Sequence, residues 1–346
     1  MNGNALKKPE ASAPRRATGA IRISVPESLP GSGGVVQVVD AELPSVGHRV
    51  ETDPATEVTL LLNSRRATLF VSCRNRGNVV ATLGQALATS GVHVIDSEQH
   101  MGAEMAHVFQ RIHMDVSSLP AGAPQLVRAL RTVTEMQQLS FSVHETARKK
   151  RVGIFVSKYD HCLFDLLLRH RAGEIECDIP VIISNHPDLK PVAESFGVDY
   201  KVVQKSAANK EQAERVEGSM LEDAGVDLIV LARYMQILSK DFVANWERRI
   251  INIHHSFLPA FIGGQPYHQA HRRGVKLIGA TAHYATSTLD EGPIIEQDVT
   301  RCTHKDTIED LTRKGRDLEK TVLARAVRWH LEDRVLVFSN KTIVFV

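Results

Sequence analysis

The sequence predicts an α/β protein: a doubly wound, mainly parallel sheet in the C-terminal part, preceded by a smaller β-α-β-β-α-β unit. Three observations carry this prediction. Short all-apolar runs recur after residue 150 (RVGIFVS, PVIIS, YKVV, DLIVLA and IINIH), with helical stretches such as Asn209 to Ala224 between them. Strands buried on both faces read as unbroken apolar runs, and their alternation with helices implies parallel order. Longer alternating strands, Lys276 to Tyr284 and Pro293 to Thr300, follow the parallel set and extend it with antiparallel pairing.

The elements follow in order. Residues 1–56 are rich in Pro, Gly, Ser and Ala and lack a sustained helical period, so they read as a flexible N-terminal extension. Lys7, Lys8, Arg15, Arg16 and Arg22 face only Glu10 in the first 26 residues, a bias that organelle-import segments share. No amphipathic face accompanies it, so a disordered tail is the preferred reading. From residue 57 the texture changes. Ala67 to Cys73 reads as a strand, Asn78 to Ser90 as a helix, Val92 to His100 and Ala106 to Val116 as strands. Pro124 to Leu139 is again helical, and Ser140 to His144 returns to strand. This unit is assigned to 57–145, the basic connector to 146–150, and the second domain to 151–346. The sheet of that domain opens with Arg151 to Ser157 and a helix from Cys162 to His170. A long C-terminal helix has Leu311, Leu318, Val322, Ala326 and Trp329 on one stripe, with Asp306 as N-cap and Glu309 completing a capping box. RVLVF and TIVFV flank Ser339-Asn340-Lys341 as a closing hairpin.

Bulk properties exclude several classes. The formal net charge of +2 leaves no global basic field for nucleic acid. No apolar stretch approaches the roughly 20 residues that span a bilayer. The four cysteines, Cys73, Cys162, Cys177 and Cys302, lack C-x-x-C spacing, which argues against a disulfide framework or structural zinc and for a reducing, cytoplasmic setting.

The chemistry concentrates in NIHHSFLPAFIGGQPYHQAHRRGVKLIGATAHYATSTLDEGPIIEQ, Asn252 to Gln297. Asn252 and His254 are two apart on a strand, so both side chains take one face. Asp290 lies in LDEG, after the apolar alternating strand that carries His283. An amide donor, an imidazole and a carboxylate together suit chemistry on a carbonyl: the amide for a developing oxyanion, the other two for water and proton transfer. His255 falls on the opposite face by strand geometry and is expected to pack or cap. His283 is expected to support Asp290, and Tyr267 and His268 to shape the same crevice. His254, His255, His268, His271 and His283 lack a metal-ligand spacing with a neighbouring acid, so no metal is expected.

N-x-H followed by S-x-L-P and then H-Y-x-x-x-x-x-D-x-G resembles the signature of folate-dependent formyltransferases and formyl hydrolases. With SKYDHCLFDLL, SNHPD and VLARYMQIL, the chain is most similar to the formyltetrahydrofolate deformylases, from about Val58 to the C-terminus. The resemblance implies hydrolysis of 10-formyltetrahydrofolate to formate and tetrahydrofolate, with formate supplied to purine synthesis and the one-carbon folate pools balanced. It implies no prosthetic group, the folate being substrate. It gives Asn252, His254 and Asp290 the catalytic roles and Met235, Gln236, Ile237 and Leu238 the folate contacts. The alternative reading is a formyltransferase to a small amine. Glycinamide ribonucleotide formyltransferases carry a G-x-G-S-N turn for the acceptor phosphate, where this chain has Ser157-Lys158-Tyr159-Asp160-His161-Cys162. Without glycine, and with Asp160 and bulky Tyr159, that site favours water as acceptor.

The first domain resembles an ACT module, a ferredoxin-like unit that in many enzymes binds a small amino acid. Its turn reads Arg74-Asn75-Arg76-Gly77-Asn78 where that family has D-R-x-G-I. An amino-acid effector and a ligand-free dimerisation module both stay open, and a homo-oligomer is expected from the habit of such modules to pair.

Overall fold

The computed structural model describes Ile21–Ser24, Gln37–Val39 and residues 65–74, 78–102, 107–120, 123–137, 139–145, 149–260 and 266–346. Most of the extension expected over 1–56 and the turn residues 75–77 therefore lie outside the described residues. Within the extension, β1 (Ile21–Ser24) and β2 (Gln37–Val39) are short paired strands.

The first domain comprises β3 (Arg66–Arg74), α1 (Val79–Thr89), β4 (His93–Gly102), β5 (His107–Asp115), α2 (Pro124–Gln137) and β6 (Ser140–Glu145). Its antiparallel sheet has the order β2-β1-β6-β3-β5-β4, with β1 added beside β6. The four strands β6-β3-β5-β4 have the order of a ferredoxin-like unit, as the element pattern predicts. Leu83 and Leu87 of α1 and Leu126 and Leu130 of α2 bury against Leu69, Val71, Ile112 and Met114 on one face of the sheet. The alternating pattern of β4 does make a strand, but an edge strand exposed along nearly its whole length.

The second domain runs β7 (Lys150–Val156), α3 (His161–Arg171), β8 (Cys177–Ser184), α4 (Lys190–Ser195), β9 (Asp199–Val202), α5 (Lys210–Asp223), β10 (Leu228–Leu231), α6 (Lys240–Asn245), β11 (Ile250–His254), α7 (Pro266–Arg273), β12 (Leu277–Tyr284), β13 (Ile294–Arg301), α8 (Ile308–Leu331), β14 (Val335–Phe338) and β15 (Lys341–Val344). Its seven-stranded sheet has the order β13-β12-β11-β10-β7-β8-β9. Strands β7 to β11 are parallel, and β12 and β13 add antiparallel at one edge, both as expected. Helices α3, α4 and α8 cover one face through Leu163, Leu167, Ala193, Val322 and Ala326. Helices α5 and α6 cover the other through Leu221, Phe242 and Val243. The exit from β7 thus leads to one face and the exit from β10 to the other. Ligands of doubly wound sheets bind where such neighbouring loops part.

The cap of α8 is one residue later than predicted. Thr307 and Asp310 form the capping box, because Asp306 is already engaged by Thr303 N at 2.6 Å and Lys314 Nζ at 2.8 Å. Hairpin β14–β15 closes through Ser339-Asn340 and lies on the first sheet's face away from α1 and α2, where Leu336 and Phe345 join Phe70 and Phe109. At its root Asp333, 4% exposed, takes Lys150 Nζ at 2.6 Å and His144 Nδ1 at 3.1 Å. Arg111 Nε donates to the Asp333 carbonyl at 2.7 Å. Among the described residues no helix is long and apolar enough to cross a membrane.

Candidate active site

Strand β11 is buried at every position except Asn252, which is half-buried. Ile251 and Ile253 point into the core under α8, so Asn252 and His254 share the opposite face. Antiparallel register sets His283 of β12 directly across from Asn252. Asn252 Nδ2 lies 3.2 Å from His283 Nε2, and His283 Nδ1 lies 3.0 Å from the Tyr284 carbonyl. A carbonyl only accepts, so Nδ1 carries a proton, and with the ring neutral Nε2 accepts from the amide. This fixes which end of the Asn252 amide holds its N–H groups, leaving the second Nδ2 hydrogen for another acceptor.

The connection 285–293 then folds back over this face. Asp290 sits in it with φ +58°, a left-handed conformation that Asp tolerates better than most residues. Its Oδ1 is 3.2 Å from His254 Nδ1 and 3.7 Å from His283 Nε2. Burial works to raise the Asp290 carboxyl, but the hydrogen bonds of His254 and His283, and their charge whenever the rings are protonated, more than offset it, holding it well below the usual carboxylate range. Facing an ionised carboxylate, His254 Nδ1 carries a proton, and Nε2 is buried without a hydrogen-bond partner among the described residues. The sequence-predicted Asn252, His254, His283 and Asp290 therefore converge on one patch.

The glycine of D-x-G has a steric cause. A Cβ on Gly292 would overlap the Tyr284 carbonyl oxygen, the same oxygen that holds His283.

Segment 232–239 forms the wall beyond β10. Ser157 Oγ accepts from Met235 N at 3.0 Å. Tyr234 Oη donates to Glu217 at 3.0 Å, Lys205 Nζ bonds the same carboxylate at 2.7 Å, and Ser239 N donates to Glu214 at 3.1 Å. This anchored loop displays Met235 (52% exposed) and Ile237 (62% exposed) outward. Leu238 instead packs against the core behind the loop.

One expectation about the neighbouring residues is corrected. The strand ends at His254, so alternation does not extend to His255. Its ring stacks on that of His254, 5.1 Å between centroids, and burial, followed by the Arg233 charge, pushes its pKa down to about 4. His268 is exposed on α7, whereas Tyr267 beside it is buried.

Sequence reasoning missed a second buried cluster at the switch point. Glu319 of α8, fully buried, accepts from Tyr267 Oη and binds His161 Nε2, each at 2.7 Å. Arg233, at φ +62°, brings Nε within 3.3 Å of it, an ion pair without hydrogen-bond alignment. Its guanidinium also lies 5.0 Å from the Tyr159 ring centroid. Arg233 thereby ties the exit of β10 to that of β7. His161, Cys162 and Glu319 bring ligand-type atoms within 4.8 Å of one another, but the carboxylate is already committed to Arg233, His161 and Tyr267, and burial, then Glu319, pushes the Cys162 thiol well up. The legible signal was an acid on the apolar stripe of α8.

Comparison with known proteins gives the family and the fold. The family model described as Formyl transferase matches residues 150–327. A formyltetrahydrofolate deformylase of Synechocystis sp. is 49% identical over 279 residues, 81% of this chain and 98% of that protein. The crystal structure of a formyltetrahydrofolate deformylase from Pseudomonas syringae pv. tomato superposes with a TM-score of 0.76 at 43% identity, covering 82% of this chain and 95% of that one. A glycinamide ribonucleotide transformylase from Symbiobacterium toebii matches with a TM-score of 0.54 at 31% identity, over 57% of this chain and 95% of its own.

Proposed function

The chain belongs to the formyltetrahydrofolate deformylases, and we propose that it hydrolyses 10-formyltetrahydrofolate to formate and tetrahydrofolate at the Asn252–His254–His283–Asp290 cluster. The observation that carries the assignment of the site is the 3.2 Å contact of His254 with an ionised Asp290, beside the oriented Asn252 amide. Three services are needed at the formyl carbon. The second N–H of Asn252 receives the developing oxyanion, a donor worth about 3–4 kcal/mol of barrier in comparable sites. Asp290 orients the attacking water. As the C–O bond forms, the water proton passes to the Asp290–His254 pair, whose unpartnered Nε2 is the acceptor in hand. The pair returns that proton to N10 as the C–N10 bond breaks. No prosthetic group enters the scheme.

Met235 and Ile237, apolar yet displayed on an anchored loop, form a wall for the flat pterin, with Gln236 as polar contact and Leu238 supporting from behind. The Arg233–Tyr159–Glu319 clamp fills the switch point where an amine acceptor would enter, which supports water over the transferase reading. Formate released here would feed purine synthesis. The free, buried cysteines support a reducing, cytoplasmic setting. Edge strand β4, with Val94, Ile95 and Met101 exposed, supports pairing with a second copy. For the first domain an amino-acid effector and a ligand-free dimerisation module both stay open.

The deciding experiment supplies 10-formyltetrahydrofolate with no amine and measures formate. Stoichiometric formate and tetrahydrofolate are expected; formyl loss only when an amine is added would refute the hydrolytic reading.

A further inference from the structure

Hairpin β14–β15 touches both domains. Its strands have four residues each, and a two-stranded ribbon of that size is marginal alone, so its position is set by what it packs on. On one side that is the first domain. Phe338 meets Phe109 edge-on at 5.0 Å, Phe345 lies 6.1 Å from Phe70, and the root is held by Arg111 and by Asp333 with His144 and Lys150. On the other side it reaches the catalytic connection. At the hairpin tip, Asn340 Nδ2 donates to the Glu291 carbonyl at 2.9 Å, and Thr342 Oγ1 donates to the Ile294 carbonyl at 2.5 Å. These two bonds bracket 291–294, the segment that follows Asp290 and contains the tightly fitted Gly292.

We propose that this hairpin transmits the placement of the N-terminal domain to the active site, with Asn340 as a positioning residue for Asp290. The inference rests on the catalytic assignment of Asp290 above. Asp290 holds a left-handed backbone in a connection without helical support, so its carboxylate stays over His254 only while its neighbours are fixed. Asn340 fixes the residue next to it. A displacement of the first domain's sheet carries the aromatic face of the hairpin with it and so shifts the tip. Any ligand that repositions the first domain against the second would change turnover by this route, without touching the folate.

The test uses the full-length protein and steady-state hydrolysis of 10-formyltetrahydrofolate. Asn340→Ala removes an exposed side chain and should lower kcat about three- to tenfold, the equivalent of one hydrogen bond, with KM unchanged. Asn340→Asp keeps the shape, loses the donor and should match it. Phe338→Ala, on the side facing the first domain, should lower kcat in the same direction. The Phe338→Ala/Asn340→Ala double variant should be no slower than the slower single variant, because both act through one element. Limited proteolysis after exposed Leu289 should quicken in each variant. The proposal is overturned if Asn340→Ala keeps the parent's kcat, if its only effect is on melting temperature or KM, or if the two single effects multiply as independent ones. The hydrolytic reading fails separately, by absence of formate from the unmodified protein, and the kcat comparison is then made on formyl transfer to an amine.

Discussion

Gly292→Ala adds one methyl group and should disable the enzyme without unfolding it. The new Cβ would overlap the Tyr284 carbonyl oxygen and press on Thr286 Cγ2 at 3.2 Å. Neither side can yield harmlessly. The Tyr284 carbonyl accepts from His283 Nδ1 at 3.0 Å, and the Tyr284 amide donates to the Pro293 carbonyl at 3.0 Å. Moving the carbonyl turns His283 away from Asn252; moving the connection carries Asp290 away from His254. Relief of the overlap requires a displacement of about 1.5–2 Å, since comfortable C···O contacts lie at about 3.3–3.6 Å. A 1 Å misplacement costs about 10²-fold in rate, or about 2.7 kcal/mol. Overpacking itself costs about 1–3 kcal/mol of stability, which a domain of this size shows as a few degrees in Tm. The assay is kcat/KM for formate release, with thermal melting and near-UV circular dichroism reporting the fold. A folded variant with turnover within about threefold of the parent would refute the reasoning.

Four further outcomes are expected. Asn252→Ala should lower kcat and kcat/KM together by about 10²–10³, whereas a rise in KM alone would remove its oxyanion role. Asp290→Asn should lower turnover by about 10²–10⁴. Because the folded-state pKa of Asp290 is depressed, its contribution to stability is complete above the ordinary carboxylate range and is lost as pH falls through the depressed value. The Tm difference between parent and variant should therefore hold above about pH 5 and shrink only below about pH 4; a difference that vanishes near neutrality would contradict this. Ile237→Ser should raise KM about tenfold with kcat within about twofold, and an effect confined to kcat would take Ile237 out of the binding wall. Lys150→Met leaves buried Asp333 short of its closest cation and should cost about 3–5 kcal/mol in denaturant unfolding, whereas a loss under about 1 kcal/mol would mean that His144 suffices.

The sequence was most legible where one rule acted alone. The apolar run Ile250–His254 matches β11 residue for residue, and alternation along it correctly pairs Asn252 with His254. Helix α5 runs between the expected Asn209 and Ala224, which become its caps. Legibility fell where two local rules competed. Asp306 and Thr307 are both good N-caps, and the contacts of Asp306 with Thr303 N and with Lys314, eight residues on, leave the cap to Thr307. In VLARYMQIL no period separates Met235 from Leu238, so which one faces outward depends on α5 behind the loop. His255 departed from its expected face because a strand rule was extended one residue past the strand. Nothing in the sequence marks the partners of Arg233, because Tyr159 and Glu319 come from the turn after β7 and from α8, which only the fold brings together.

The placement of Asp290 follows from the antiparallel addition to the sheet. A parallel strand delivers its outgoing loop at the carboxyl end, beside the switch point. Strand β12 runs the other way and ends near the amino end of β11, where Ala285 N donates to the Ile250 carbonyl. Asp290 must therefore travel back roughly 13 Å, the length of four strand residues, to meet His254. It does so within a connection lacking regular structure, so its position cannot come from a helix or strand of its own. The constraints are the Gly292–Tyr284 contact, the Tyr284–Pro293 bond and the two bonds from β14–β15. Two of these four come from the last seven residues of the chain, which rest on the first domain. A catalytic carboxylate held this way is open to adjustment from outside its own domain, as one carried on a rigid strand is not.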